Sequence, residues 1–402
     1  MPRLLAAIAG VVLAIGGGTA IAVAATSGGP VPKPKRLSLA IHDALGAKPV
    51  QGISADVSFT NNLIPSFEVQ GTDPLLTGGS GHVWISNDGQ LRLELYGDNG
   101  DPEVVVNHTS WWVYDPTLQT VYEGKLPATT GGAAHGKSGK RDVLPTIAQI
   151  QTVINRLMGH ANVSGAVPGD VGGQAAYTVS VSPKHDGGML GQVQLAWDAV
   201  RGVPLRFAVY ARGNTSPVLQ LAATGVSYGT IDPGVFNIPV PSGVHVVNVA
   251  TPAATQPSPA AIAGKGAKKR HADVTGVRAV ASKVSFPLVA PRSLDGLPRQ
   301  SVSLLDVGGS HGALVTYGQN LGGIAVIEQP ATANSSRQLN LSSGSGDHAH
   351  GLALPTVTIN GATGQELDTT LGTVVRFTRG GVTYTVSGSV PPYAADAAAR
   401  GL

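Results

Sequence analysis

The stretch GHVWISNDGQLRLELYGDNGDPEVVVNHTSWWVYDPTLQTVY, from Gly81 to Tyr122, contains apolar and aromatic runs separated by clusters of turn residues. Leu91, Leu93 and Leu95 alternate with Arg, Glu and Tyr, and Gly, Asn, Asp and Pro mark the turns. This alternation, with a period of two, predicts antiparallel strands that follow one another in a sheet. Each strand has one apolar face, so we expect the sheet to cover something apolar on one side only.

The same pattern predicts strands on both sides of this stretch. The strands predicted in the first part of the chain are Val50–Asn61, Ala175–Val181, Gly191–Trp197, Val203–Ala211 and Val218–Val226. The strands predicted towards its end are Leu294–Pro298, Val302–Val307, Ala313–Tyr317, Ile324–Glu328, Thr356–Ile359, Val374–Thr378 and Val382–Ser387. A chain rich in short strands and turns is typical of a mainly β protein.

Three segments have helical spacing. Leu37–Leu45 and Ile147–Met158 carry apolar residues every three or four positions, and the second segment is the more amphipathic. Pro145-Thr146 opens it and Gly159 closes it. Ala394–Leu402 can form a short final helix. We expect the Ile147–Met158 helix to face the apolar side of the sheet.

Three local motifs resemble the outer-membrane lipoprotein carrier (LolA) family. The first is a block that begins with Gly-x-Val-Trp-Ile at residues 81–85 and ends with Trp-Trp-Val-Tyr-Asp-Pro at residues 111–116. The second is Gly191–Asp198 followed by Gly202–Phe207, and the third is Asp232-Pro-Gly-Val-Phe. The resemblance implies an α+β fold that is mainly β: a half-open antiparallel barrel with a helical lid, which holds acyl chains.

Composition narrows the class of protein. The chain has 402 residues, 13% of them charged, a formal charge of +3 and no cysteine. A charge this small, without a clustered basic face, does not predict nucleic-acid binding. The absence of cysteine excludes disulfides, thiolate metal ligands, a cysteine nucleophile and a lipidated N-terminal cysteine.

Composition also predicts four regions. Residues 1–25 read as a signal peptide or an uncleaved N-terminal anchor, and either one would place the rest of the chain outside the cytoplasm. Residues 35–248 would form the LolA-like domain, and 249–275 a Pro/Ala/Lys-rich linker. Residues 276–402 would form a small β-rich domain. In layout, the two domains resemble the RseB-type periplasmic regulators and actinobacterial carrier-like proteins.

Motifs for catalysis or metal binding are weak. Ser227 and Ser310 each occur in Gly-x-Ser-x-Gly, but a nucleophile elbow lies between a strand and a helix, and neither serine has that predicted context. Asp347, His348 and His350 are metal-ligand types in a Ser/Gly-rich loop without further ligands at fixed spacing. We therefore predict no catalytic residue, metal or cofactor. Arg92 is expected to point outward and to pair with Glu94 or a cross-strand neighbour.

The apolar positions of the sheet and of the amphipathic helix are the predicted ligand site. An acyl chain needs a long dry groove and few hydrogen bonds, so apolar side chains from both surfaces would line it. The predicted lining residues are Val83, Ile85, Leu91, Leu93, Leu95, Ile147, Ile150, Ile154, Leu157, Leu195, Trp197, Leu205 and Phe207.

These observations favour an extracytoplasmic, non-enzymatic protein of the cell envelope that binds a lipid or a lipoprotein acyl chain. The partner would be a lipid or a lipidated protein, and nucleic acid is not expected. One alternative is an RseB-like regulator whose C-terminal domain binds a membrane protein of the anti-sigma type. A more remote alternative is a secreted serine hydrolase.

Overall fold

The computed structural model describes residues 29–64, 73–98, 100–126, 145–249, 274–307, 310–331 and 354–402. The predicted N-terminal segment 1–25, residues 250–273 of the predicted linker, and Asp347, His348 and His350 lie outside these ranges. Two compact units are present. One consists of Met1–Asn62, Gly71–His185 and Gly191–Ala254, and the other of Leu63–Gln70, Asp186–Leu190 and Thr255–Leu402.

The first unit is built on one large sheet. Its described strands are β1 (Gly52–Asn61), β2 (Gly78–Ser86), β3 (Leu91–Leu95), β4 (Glu103–Val106), β5 (Ser110–Asp115), β6 (Thr120–Lys125), β7 (Ala161–Val163), β8 (Val167–Val171), β9 (Gln174–Pro183), β10 (Leu190–Asp198), β11 (Pro204–Ala211), β12 (Leu219–Tyr228) and β13 (His245–Asn248). Their order is β13-β6-β5-β4-β3-β2-β1-β12-β11-β10-β9-β7, and β8 also pairs with β9. The sheet curls into a half-barrel, which confirms the predicted fold class.

The hairpins follow the predicted strand order. Strands β1 to β6 pair with their sequence neighbours in antiparallel fashion. The first strand also pairs with β12, so the two runs of hairpins meet at β1. The last strand, β13, adds to β6 in parallel. Alternation of side chains along each strand therefore gives the whole sheet two chemically different faces.

Helices α1 (Leu37–Gly46), α2 (Pro74–Thr77) and α3 (Ile147–Leu157) belong to the first unit. A capping box fixes the start of α3: the Gln149 amide donates to Thr146 Oγ1, and the Thr146 amide donates to Gln149 Oε1. This helix contacts α1 and β7.

The second unit has its own sheet and core. Its described elements are α4 (Val277–Ala281), β14 (Ser293–Leu294), β15 (Leu297–Val307), β16 (Ser310–Tyr317), β17 (Ile324–Pro330), β18 (Thr356–Ile359), β19 (Ala362–Thr369), β20 (Gly372–Arg379), β21 (Val382–Gly388) and α5 (Pro392–Arg400). The strand order is β14-β15-β16-β17-β21-β20-β19-β18. Val315, Val326, Val375 and Val386 are fully buried, and α5 contacts β20 and β21. This core is built entirely from residues between Val274 and Leu402.

Candidate functional site

The register of β1, β2 and β3 gathers four of the predicted site residues on one face. Val83 lies opposite Leu93, and Ile85 lies opposite Leu91. On the other side of β2, β1 adds Ala55 and Ile53 to the same rows. Residues directly opposite each other share a face of the sheet, so these side chains form one apolar surface. Val83 is buried, whereas Ile85, Leu91 and Leu93 are only half-buried.

This apolar surface continues across β12 towards β9. Ala223 and Val226 of β12 pack against the rows just described and also against a second cluster that contains Leu205 and Ala196. Phe207, which is half-buried, lies opposite Leu221 of β12. The two clusters therefore form one apolar face, from β3 to β9. We call it the apolar face.

Leu195 and Trp197 belong to a different cluster. They pack with Tyr177 and with Ala40 and Ile41 of helix α1. Leu95, from the same run as Leu91 and Leu93, is 2% exposed and lies opposite Gly81. The thirteen predicted residues therefore lie in several packing environments, and the largest group lies on the apolar face.

Helix α3 buries only part of its apolar surface. Ile150 and Ile154 are buried and Leu157 is half-buried, but Ile147 is 42% exposed and Val153 is 59% exposed. The contacts of this helix are with α1 and β7. That the helix covers the apolar face stays a prediction.

The opposite face of β1 and β2 is polar. His82 Nδ1 lies 2.8 Å from Asp56 Oδ1, and His82 Nε2 lies 2.7 Å from Ser54 Oγ. The His82 ring also rests against Trp84, with 4.3 Å between ring centroids. The sequence pattern does not predict this set, because His82 lies 26 residues from Asp56 and 28 residues from Ser54. Only the register of β1 against β2 brings them together.

Arg92 lies on this polar face and pairs as predicted. Its Nη2 is 3.1 Å from Glu94 Oε2, and its Nε is 2.5 Å from Glu103 Oε1. The guanidinium also lies 5.0 Å from the centroid of the Trp84 ring. Burial raises the pKa of Glu103, although the Arg92 charge acts in the opposite direction. These contacts assign Arg92 to cross-strand pairing.

One buried carboxylate fixes the turn between β10 and β11. Asp198 Oδ1 accepts from the amides of Val200 and Arg201, and Oδ2 accepts from the Tyr228 hydroxyl at 2.6 Å. Burial would raise the pKa of Asp198, but these hydrogen bonds outweigh it and the pKa is lowered. The same surroundings raise the pKa of Tyr228, chiefly through burial.

A second buried carboxyl lies in the core of the second unit. Glu328 is fully buried, and its Oε2 accepts from the Val289 amide at 2.9 Å. Burial raises its pKa to about 7. Tyr317 is 1% exposed, and burial, together with the charge of Glu328, raises its pKa to about 12. Among the described atoms, Glu328 Oε1 and the Tyr317 hydroxyl have no hydrogen-bond partner.

Neither serine motif has the geometry of a nucleophile elbow. Ser227 lies inside β12, and Ser310 begins β16 opposite Val307. Within the described ranges, no three His, Asp or Glu side chains are grouped as a metal site. No helix in that part of the chain is long and apolar enough to cross a membrane.

No protein-family model matches the chain, and no curated protein matches it either. Among solved structures, the chain is similar to one in the Pseudomonas aeruginosa MucA/MucB complex, with 15% identity, a TM-score of 0.39, and coverage of 90% of this chain and 96% of that one. A conserved protein from Thermus thermophilus has 10% identity and a TM-score of 0.33, over 53% of this chain and 99% of that one. A LolA superfamily protein from Nitrosomonas europaea has 9% identity and a TM-score of 0.21, over 51% and 98%.

Two of these neighbours, the chain from the MucA/MucB complex and the LolA superfamily protein, belong to the families that the sequence resembles. At identities and TM-scores this low, no ligand or activity is carried over to this chain.

Proposed function

We propose that the first unit is an extracytoplasmic binding module that holds the acyl chain of a lipid or lipoprotein against the apolar face. The observation that supports this most directly is the partial exposure of large side chains there. Ile85 and Leu91 form one row with Ile53, and Leu93 and Leu221 belong to the same cluster, yet all five remain half-buried. A sheet that served only as a scaffold would bury such rows fully, because exposed apolar area costs about 25 cal/mol per Å2.

Acyl-chain binding also agrees with the chemistry of this surface. Its rows consist mainly of aliphatic side chains, with Phe59, Phe207 and Tyr228 among them. Asp198, opposite Ala176, is charged, but hydrogen bonds satisfy its carboxylate. An acyl chain requires apolar contact over a long distance and few directed hydrogen bonds. In this proposal helix α3 is the lid, and its exposed Ile147 and Val153 supply further apolar area. No step of binding requires a catalytic residue.

Charge insertion on the two faces of the sheet tests the proposal. Leu93→Glu puts a carboxylate on the apolar face, whereas Ser80→Glu puts one at an exposed position of β2 on the polar face. We expect Leu93→Glu to abolish co-purification of lipid, measured by mass spectrometry, while circular dichroism shows a folded protein. Ser80→Glu should retain the lipid. If wild-type protein carries no lipid and binds no apolar dye, the proposal is wrong.

The second unit supports a second candidate, an RseB-like regulator. A simple carrier does not need a separate module with its own sheet and core, whereas a regulator needs a surface for a protein partner. Capture experiments from envelope extracts with the full chain separate the two functions. One stoichiometric membrane protein would favour the regulator, and lipid without protein would favour the carrier.

A further inference from the structure

The polar face of β1 and β2 carries a hydrogen-bonded series of hydroxyl, imidazole and carboxylate. Ser54 Oγ contacts His82 Nε2, and the other ring nitrogen, Nδ1, contacts Asp56 Oδ1. An ionised carboxylate can only accept a hydrogen bond, so Nδ1 must carry the proton. In the neutral ring Nε2 is then the acceptor, and the Ser54 hydroxyl donates to it. These are the relations between serine, base and orienting group found in nucleophilic hydrolases.

The imidazole is held in this orientation by more than its two hydrogen bonds. Its ring rests on Trp84, and Arg92 lies on that indole in turn. Trp84 is also the cross-strand partner of Ser54, so the serine and the base are positioned by two regular strands. A base within hydrogen-bond distance and locked in one orientation is the geometric requirement for activating a hydroxyl.

We infer that Ser54 is a nucleophile, activated by His82 and positioned through Asp56, that accepts an acyl group from an activated ester. Ser54 Oγ forms a bond to the acyl carbon, and the bond from that carbon to the leaving oxygen breaks. His82 Nε2 takes the serine proton and passes it to the leaving oxygen. Water, deprotonated by the same nitrogen, can later release the acyl group as a carboxylic acid and restore the serine.

Two features of the site limit its reactivity. Strand β1 is paired on both sides at Ser54, with Trp84 and with Ser227, so the nearby backbone amides are used in the sheet and form no oxyanion hole. The Asp56 side chain is 69% exposed, so solvent weakens its effect on the imidazole. We therefore expect reaction with activated esters and fluorophosphonates, but not with peptide amides.

The chain offers a matched control. Ser227 lies opposite Ser54 in the neighbouring strand, on the same face, and is the more exposed of the two. It is not part of the Ser54–His82–Asp56 set. Ser227→Ala therefore removes a more accessible hydroxyl and leaves the imidazole in place.

The experiment treats the full chain with an alkyl fluorophosphonate and maps the labelled peptide by mass spectrometry. Ser54 Oγ would bond to phosphorus as fluoride leaves. We expect labelling at Ser54, complete loss in Ser54→Ala, and no change in Ser227→Ala. His82→Gln should slow labelling roughly 100-fold, the size of a general-base contribution, and Asp56→Asn should slow it less.

Hydrolysis of p-nitrophenyl acetate provides a second measurement with the same variants. An unchanged labelling rate in a His82→Gln protein with the wild-type circular dichroism spectrum would overturn the inference. Labelling of Ser54 no faster than that of Ser227 would do so as well. Ser54 and Leu93 lie on opposite faces of the sheet, so Ser54→Ala should lose labelling but still retain lipid. Failure of the nucleophile and failure of lipid binding are therefore distinguishable.

Discussion

At the scale of single residues, Asp198 shows how a buried charge can be stabilising. Its two oxygens accept from two amides and a tyrosine hydroxyl, and Arg201 Nη1 lies 3.3 Å from Oδ2. A carboxylate without these donors would be costly to bury. With them, it ties the turn after β10 to the end of β12, two segments that are distant in sequence.

Replacement of Asp198 should destabilise the first unit. Asp198→Ala leaves the Tyr228 hydroxyl and two amides without their acceptor, so we expect a loss of about 2–4 kcal/mol in the free energy of unfolding. Asp232→Ala is the control, because Asp232 is exposed and accepts from the Gly234 amide in a turn; it should lose less than about 1 kcal/mol. Urea denaturation measures both. Equal losses would contradict the role given to Asp198.

The pKa of Asp198 adds a pH dependence to this effect. A lowered pKa in the folded protein means that the contribution is present above the ordinary value of 3.8 and is lost as pH falls through the lowered pKa. The difference in stability between wild type and Asp198→Ala should therefore shrink in acid.

Glu328 should have the opposite pH dependence. Its pKa rises from the ordinary 4.5 to about 7, so between these values the folded protein binds the proton that the unfolded chain has lost. Stability of the second unit should fall by about 3 kcal/mol as pH rises from 4.5 to 7 and above. Glu328→Gln, which cannot titrate, should flatten this slope and be the more stable form at about pH 8. If the stability of the variant depended on pH as steeply as that of the wild type, another group would be responsible for the pH dependence.

At the scale of elements, the sequence predicts strands best where alternation is strong. The block from β2 to β6 and its hairpin order can be predicted because short apolar runs are separated there by clusters of turn residues, and β3 alternates throughout. Strand β19 was missed, since Ala362–Thr369 carries Gly, Gln, Glu, Asp and Thr and is held by β18 and β20 on its two sides. Tertiary pairing thus overrides a weak local preference. The short β7 and the parallel β13 have no distinct sequence signal at all.

The same distinction applies to the candidate site. The rows of the apolar face follow from alternation, so Val83, Ile85, Leu91 and Leu93 could be predicted to lie together. Leu195 and Trp197 also alternate, but α1 covers them, and alternation does not reveal which element packs on a strand. The contact of Ser54 with His82 depends on the register between two strands, which a one-residue shift would remove.

The amphipathic helix α3 gives a prediction at this scale. If it is a lid, Leu157→Ala should cost less than about 2 kcal/mol in stability and should strongly reduce the amount of bound lipid, because the half-buried Leu157 is incompletely packed by protein. Gln151→Ala, at an exposed polar position of the same helix, is the control and should change neither quantity. Lipid quantification and urea denaturation are measured on the same samples. A loss of about 2–5 kcal/mol with lipid retained would assign Leu157 to an ordinary core.

At the scale of the whole molecule, the main question is whether the units fold independently. The core cluster of the second unit lies within Val274–Leu402, and the Thr370 amide donates a hydrogen bond to the Leu63 carbonyl of the same unit. A module with its own core is expected to unfold cooperatively when isolated. The proposed domain boundaries, 35–248 and 276–402, follow from this expectation and from the Pro/Ala/Lys composition between them.

A fragment of residues 274–402 tests this independence. We expect a single cooperative thermal transition and a circular dichroism spectrum rich in β-structure. In the full chain, trypsin should cut first at Lys265, Lys268, Lys269 or Arg270. Protection of these bonds, or a fragment without a transition, would show that the second unit depends on the first.

The central position of β1 in the large sheet has a consequence for how the protein acquires its structure. This strand is the first of the sheet in sequence, yet it pairs with β12, whose residues 219–228 come more than 150 positions later. Contacts over such separations carry a large loop-closure cost and slow folding. The hairpins from β2 to β6 can form early, but β1 keeps an open edge until β12 has been made. During synthesis the sheet therefore remains incomplete at its centre, and in that interval the open edge of β1 would most need protection by a chaperone.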